Sequence, residues 1–206
     1  MCPGGTGVAA MSEAGRVVTN GMSQHSCNER NANAGIVVGI TPDDYPGGPL
    51  AGIELQRTLE SHAYELGGAN YDAPGQLVGD FLAGRASTQL GDVEPSYKPG
   101  VKLTDLSSAL PAYAVKAIQE AIPAFGLKIK GFDRFDAVFT GVETRTSSPL
   151  KITRGEDFQS LNTRGLYPAG EGASYAGGIL SAGVDGIKVA ESLAAALTKN
   201  LSLSSR

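Results

Sequence analysis

The chain has no tryptophan, two cysteines and two histidines among its 206 residues. Cys2 and Cys27 are too few for a disulfide framework or a zinc-ligand set, so no metal is expected and a reducing compartment is the simplest reading. Charged residues make up only 18% of the chain and the net charge is −4. No basic stripe interleaved with aromatics is present, which argues against a nucleic-acid partner. Long apolar runs are also missing. The longest candidate, Ile179 to Leu197, is interrupted by Asp185, Lys188 and Glu191, so a membrane partner is not expected. The absence of a Gly-x-Ser-x-Gly elbow excludes the strand–elbow–helix hydrolase arrangement. No strand is followed by a Gly-x-Gly-x-x-Gly turn and a helix, the unit that holds a dinucleotide pyrophosphate. Gly4-Gly5-Thr6-Gly7 is glycine-rich but runs into a Thr/Val/Ala-rich strand. The N-terminal residues read as neither a signal nor a transit peptide.

Glycine, by contrast, is abundant. The 28 glycines are about twice the usual share of ~7%, and they cluster at turns, as in a loop-rich α/β ligand-binding protein. Gly7-Val8-Ala9-Ala10-Met11 and Arg16-Val17-Val18-Thr19 read as a hairpin around Ser12 to Gly15. Ala34 to Ile40, Gln76 to Leu82, Ala137 to Glu143, Leu150 to Thr153 and Leu166 to Ala169 read as further strands. Leu50 to Leu66 carries Ile53, Leu55, Leu59, Ala63 and Leu66 at helical spacing, and Gly67-Gly68 supplies a stop. Thr104 is a plausible cap for a short helix. Pro111 to Phe125 is a helix with Gly126 at its end. Gly177 to about Thr198 is the last helix, followed by a frayed tail, Leu201 to Arg206.

Chemistry concentrates in Gly165-Leu166-Tyr167-Pro168-Ala169-Gly170-Glu171-Gly172, followed by Ala173-Ser174-Tyr175-Ala176-Gly177-Gly178 and the last helix. A strand ending in Gly-Glu-Gly, then a glycine-rich turn into a helix, brings backbone N–H groups and a positive dipole end close to a ligand. A carboxylate at that tip accepts hydroxyl hydrogen bonds from a sugar alcohol, or caps the helix; the residues alone leave both readings open. Gly177-Gly178 is either a ligand-facing helix start or a tight loop. Gly183 and Gly186 open one helix face for close approach to a strand. Glu143-Thr144-Arg145-Thr146-Ser147-Ser148-Pro149 is a second polar run, either an anion or substrate loop through Arg145, Thr146 and Ser147 or a Ser/Thr turn with a surface ion pair. Arg30-Asn31-Ala32-Asn33 is a polar loop before an apolar run; Asn31 and Asn33 orient a ligand or simply form a turn. His25 beside Cys27 is a candidate acid/base group, and His62 falls on the solvent side of its helix. Cys2 is either a redox thiol or a buried inert one.

These runs carry a resemblance. Asn162-Thr163-Arg164-Gly165 through Gly172, Tyr175-Ala176-Gly177-Gly178-Ile179 and Ser181-Ala182-Gly183-Val184-Asp185-Gly186 resemble the closing segment of two-dinucleotide-fold FAD-dependent oxidoreductases. Met1 to Gly5, Val18 to Ser23, Arg30 to Asn33, Ser96 to Gly100 and Gly141 to Pro149 are similar to the uncharacterised FAD-dependent dehydrogenases of bacteria and plant plastids. The resemblance implies an α/β fold: an α+β substrate or cap lobe over residues 1–158, then the C-terminal strand and helix of a Rossmann-like FAD-binding domain over 159–206, with the N-terminal ADP-binding segment outside this chain. It implies FAD as cofactor, with Glu171 on the ribityl chain, Gly170 and Gly172 beside it, and Gly177, Gly178 and Ile179 toward the flavin pyrimidine edge. The loop 143–149 and Asn31 and Asn33 become substrate or flavin-pocket candidates. Hydride or electron transfer through the flavin to a small-molecule substrate follows, in the plastid of a plant or the cytoplasm of a bacterium. No catalytic acid or base is assigned. The rival from another class is a truncated, non-catalytic binding module without FAD. The apolar face of the last helix expects a sheet of which this chain supplies only one strand, Leu166 to Ala169, and so an exposed apolar patch.

Overall fold

The helical spacing of Ile53, Leu59, Ala63 and Leu66 is realised as α1, Ala51–Leu66. Ala63 is fully buried, and Tyr64 and Leu66 pack against the core. The chain stops turning where Gly67 donates to the Ala63 carbonyl and Gly68 takes φ +100°, a left-handed value that suits glycine. The computed structural model describes residues 3–10 and 12–204. Cys2, with its expected redox reading, and Met11, the expected end of a strand, lie outside the described residues.

The chain divides into two units. Unit 1 comprises Met1–Asp44 and Glu54–Thr144, and unit 2 comprises Tyr45–Ile53 and Arg145–Arg206. Helices and small mixed sheets together make an α/β fold.

In unit 1, β1 (Gly5–Ala9) and β2 (Thr19–Ser23) form the expected hairpin, with Gly5 opposite Ser23 and Ala9 opposite Thr19. Its second strand starts where the sequence reading ended it. The three-stranded sheet is centred on β3 (Ala73–Leu77), buried at every residue. β3 runs parallel to β4 (Val101–Leu103) and antiparallel to β5 (Val138–Thr140). The strand expected over Gln76 to Leu82 is thus displaced, and Val78–Leu82 is instead a short helix, α2. Two details explain this. A side chain at Gly75 would collide with Val101, so the sheet needs glycine there. At the other end, a buried polar network turns the chain out of the sheet. Ser87 Oγ accepts from Leu77 N (2.9 Å) and donates to Asp80 Oδ2 (2.7 Å), while Gln76 bridges Arg85 O (2.7 Å) and Leu106 N (2.8 Å). The Ser87 hydroxyl, with Arg85 second, holds the Asp80 carboxyl below its ordinary range.

Asp105, not Thr104, caps the 3-10 turn Leu106–Ser108, accepting from Ser107 N (2.9 Å). Helix α3 spans Ala112–Lys128 and buries Ala114, Val115, Ile118 and Ile122. It passes through the expected stop at Gly126, because that glycine makes room for the Asp133 side chain rather than ending the helix. Residues 34–40 form no strand, and neither do 150–153. Arg154 makes only an isolated bridge to Ser160.

In unit 2 the expected strand Leu166 to Ala169 does not form, and α4 begins at Ile179 and runs to Ser204, through most of the expected tail. α4 buries Val189, while Leu180, Val184, Ile187 and Leu197 on another face stay exposed. Leu180 retains 85% of its accessible surface and Ile179 93%. The absent strand and this bare stripe belong together: among the described residues of unit 2 no strand is formed that could pack on α4. Side chains built at Gly183 and Gly186 would meet nothing within 4 Å, so the close strand expected there is absent as well. No helix among the described residues is long and apolar enough to cross a membrane.

An apolar stripe of this extent promotes association. The double variant Leu180→Glu, Ile187→Lys is expected to reduce light scattering and hydrophobic-dye binding while keeping the parent's melting temperature, since both side chains are mostly solvated. A lower melting temperature with unchanged scattering would contradict the exposed stripe.

Candidate functional site

The glycine-rich run of unit 2 folds around a buried arginine. Arg154, 9% exposed at its side chain, forms a two-pronged ion pair with Asp185 of α4, at 2.9 and 2.5 Å. Its guanidinium also donates to Pro168 O (2.7 Å) and lies over the Tyr175 ring, 3.7 Å from the centroid, with Phe158 at 4.7 Å. The planar fork of arginine suits all of these contacts at once; a lysine would satisfy only some. The Arg154 backbone N–H donates to Tyr175 Oη (3.0 Å), so ring and guanidinium are held from both sides.

Asp185 connects this cluster to the Gly-Glu-Gly turn. Its Oδ2 accepts from Gly170 N at 2.8 Å. Gly170 sits at φ +67° and Ser174 at φ +62°, and the turn closes through Ser174 N to Glu171 O (2.9 Å) and Tyr175 N to Gly170 O (3.0 Å). Hydrogen bonding from Arg154, helped by the Gly170 N–H and by the charge of Lys188, holds the Asp185 carboxyl down to about 2. Hydrogen bonding to Asp185 raises Arg154 in turn. Both groups stay charged at any physiological pH.

Glu171 therefore occupies a turn fixed from below. It lies at no strand tip, and it is half-buried rather than enclosed. Its carboxylate makes no hydrogen bond or ion pair among the described residues. It does not cap α4, whose first turn contains no acid. Gly172 and Gly177 have open space where a side chain would stand. Gly177 has an ordinary φ, so the left-handed requirement falls on Gly170 instead. Gly178 O accepts from Ala182 N (2.9 Å) and Ser181 Oγ (2.9 Å), starting α4, and Ile179 is fully outward.

The other candidates lie elsewhere. Arg145, Thr146 and Ser147 form an exposed stretch at the start of this part of unit 2. Just before it, Thr144 of unit 1 is anchored: its Oγ1 donates to the fully buried Glu60 (2.8 Å), and its carbonyl accepts from Gln56 (2.8 Å). Asn31 and Asn33 belong to unit 1, where they line a cavity of about 540 Å³. Asn31 donates to Glu94 O (2.7 Å), and Asn33 donates to both Thr6 O (2.9 Å) and Met22 O (3.3 Å), tying the hairpin together. Asn33 thus has structural work in addition to any ligand contact. His25 and Cys27 share an exposed turn, but the thiol donates to Gln24 O (3.3 Å) rather than to the imidazole. His62 is exposed, as expected. Among the described residues, no group of three or more His, Cys, Asp or Glu is placed to hold a metal ion.

The sequence reading missed Arg154, Asp185 and Glu60. Asp185 entered the sequence reading as an interruption of an apolar run and as part of the resemblance segment, with no partner or role assigned. The available signal was physical: Asp185 is the first charge in a helix that opens on six uncharged residues, and a carboxylate in such a setting needs a cation or a donor.

Over residues 1–146 the chain matches the family described as FAD-dependent protein, C-terminal domain-like. A relative from Clostridium beijerinckii, described as an uncharacterized protein, is 56% identical over 192 residues. That match covers 93% of this chain and 36% of the relative, so the chain spans about a third of the length of the curated relative it matches. With 146 of its 206 residues matched, the chain belongs to the FAD-dependent protein, C-terminal domain-like family.

Proposed function

We propose that this chain is the C-terminal portion of an FAD-dependent oxidoreductase, a dehydrogenase acting on a small molecule. The single observation that carries this is Glu171: a carboxylate without a partner among the described residues, on a turn held by Asp185 and Arg154. An anchored acceptor of this kind suits the hydroxyls of a ribityl chain. Open space at Gly172 and Gly177 suits a ring or chain passing close to the backbone, and the α4 N-terminus at Gly177, Gly178 and Ile179 offers its positive dipole end to a negatively charged ring edge. The residues present therefore fit FAD, which when bound would supply two-electron redox chemistry. In this reading residues 1–158 serve as the substrate or cap lobe, and 159–206 as the closing segment of a Rossmann-like FAD-binding fold. Arg145, Thr146 and Ser147 remain substrate-loop candidates.

A second reading is favoured by the bare stripe of α4: the chain alone holds no flavin and acts by docking on a partner. Flavin retention separates the two. Joined to the N-terminal portion of its clostridial relative, the protein is expected to stay yellow through gel filtration. A colourless, folded protein that takes up no added FAD would favour the second reading.

A further inference from the structure

A half-open pocket of unit 1 reaches from exposed loop residues down to its buried core. Of the residues lining it, Val78, Phe81, Leu106, Ile118 and Ile122 belong to the buried core. Phe139 of β5 joins them, edge-on to Phe81 with ring centroids 5.1 Å apart. The loop 30–36 and the hairpin glycines Gly5 and Gly21 form the opposite wall. At about 540 Å³ the space falls within the usual range of small-molecule sites.

The polar groups on the lining decide what kind of occupant fits. Several of them are tied to partners outside the pocket or to backbone carbonyls. Arg30 binds Asp92 O (2.9 Å) and Glu94 (3.2 Å), Arg134 binds both oxygens of Asp136 (2.7 and 2.8 Å), and the amides of Asn31 and Asn33 donate to backbone carbonyls. A peptide segment entering here would bring N–H and C=O groups into a wall with few partners to offer, at a cost for each group left unmade. A sugar or a nucleotide would fare no better. We infer that the unit 1 cavity is a binding site for a small apolar molecule, aromatic or conjugated in part, with few hydrogen-bonding groups. On the flavin reading above, this names the substrate class. The site itself stands on the cavity alone.

The test is a fluorescence titration of this chain with N-phenylnaphthylamine, a neutral aromatic probe that brightens in apolar surroundings. Saturable one-site binding is expected, and excess glucose should not displace it. Ile36→Trp and Ala137→Trp, which fill the cavity from its half-buried wall, are expected to weaken binding by about tenfold or more. Ile187→Asp, on the exposed stripe of α4, should leave it unchanged. Photolabelling with benzophenone covers the case in which the filling variants fail to fold: the label should fall on residues 30–36 and 78–122. No saturable binding, binding abolished by Ile187→Asp, or label confined to α4 would overturn the inference. So would loss of probe binding when the N-terminal portion of the relative is joined, because a protein segment would then fill the space. Glu171→Ala leaves this cavity untouched, so failure of the flavin reading and failure of this one are distinguishable.

Discussion

Asp185→Ala is expected to destabilise unit 2 by about 3 kcal/mol, the lower end of the cost of breaking a buried ion pair. The lower end applies because Asp185 keeps 13% of its side-chain surface in water, while Arg154 keeps 9%. The loss is one of pairing rather than of packing. Alanine strands the guanidinium between Tyr175 and Phe158 without its anion and leaves the Gly170 N–H without its acceptor. Asp185→Asn should cost less, because the amide oxygen still accepts from Gly170. Chemical denaturation followed by circular dichroism checks this, and an unchanged midpoint for Asp185→Ala would contradict it. The pair also predicts an acid limb. The Asp185 carboxyl is lowered from 3.8 to about 2 in the folded chain, so the folded state binds this proton less readily than the unfolded one. Its stabilisation, ~2 kcal/mol, is fully present above the unfolded value and is lost as pH falls through the folded one. Asp185→Asn should flatten stability between pH 3.8 and about 2 relative to the parent.

Glu171→Ala is expected to weaken FAD retention by about ten- to a hundredfold, because the ribityl hydroxyls lose a charged acceptor worth roughly 1.5–3 kcal/mol. Glu171→Gln should lose less, since its amide oxygen still accepts. The two glycines of the turn separate folding from binding. Gly170→Val forces a branched residue into φ +67°, so it should disturb the turn whether or not flavin is present. Gly177→Val meets no strain and no neighbour within 4 Å. It should fold like the parent and yet impair flavin binding, because its side chain enters the space that the reading assigns to the ring. Normal FAD affinity in Gly177→Val would remove that part of the proposal.

Local pattern made some of this legible and long-range contact made the rest. α1 could be read because its apolar spacing and its glycine stop both lie within the segment itself. β3 could not, because Ala73-Pro74-Gly75 looks like a turn: proline lacks the N–H a ladder uses and glycine weakens a strand. The sheet tolerates both, since Pro74 still accepts from Gly141 N (2.9 Å) and Gly75 lets Val101 approach. Leu166 to Ala169 has the composition of a strand, but Pro168 O is taken by Arg154, and among the described residues of unit 2 there is no named strand for it to pair with. Which glycine needs a left-handed backbone was unreadable among so many; only the closed turn places that need at Gly170. The Arg154–Asp185 pair spans 31 positions, beyond any periodicity. In the cavity, Asn31 and Asn33 stood out as a polar loop, whereas the apolar wall opposite comes from segments far along the chain.

The most direct measurement is the FAD dissociation constant of Glu171→Ala beside that of the parent, with this chain joined to the N-terminal portion of its clostridial relative. Weaker binding by about ten- to a hundredfold, in a variant that keeps the parent's melting temperature without FAD, is the predicted result. A folded Glu171→Ala protein that holds FAD as tightly as the parent would contradict the account.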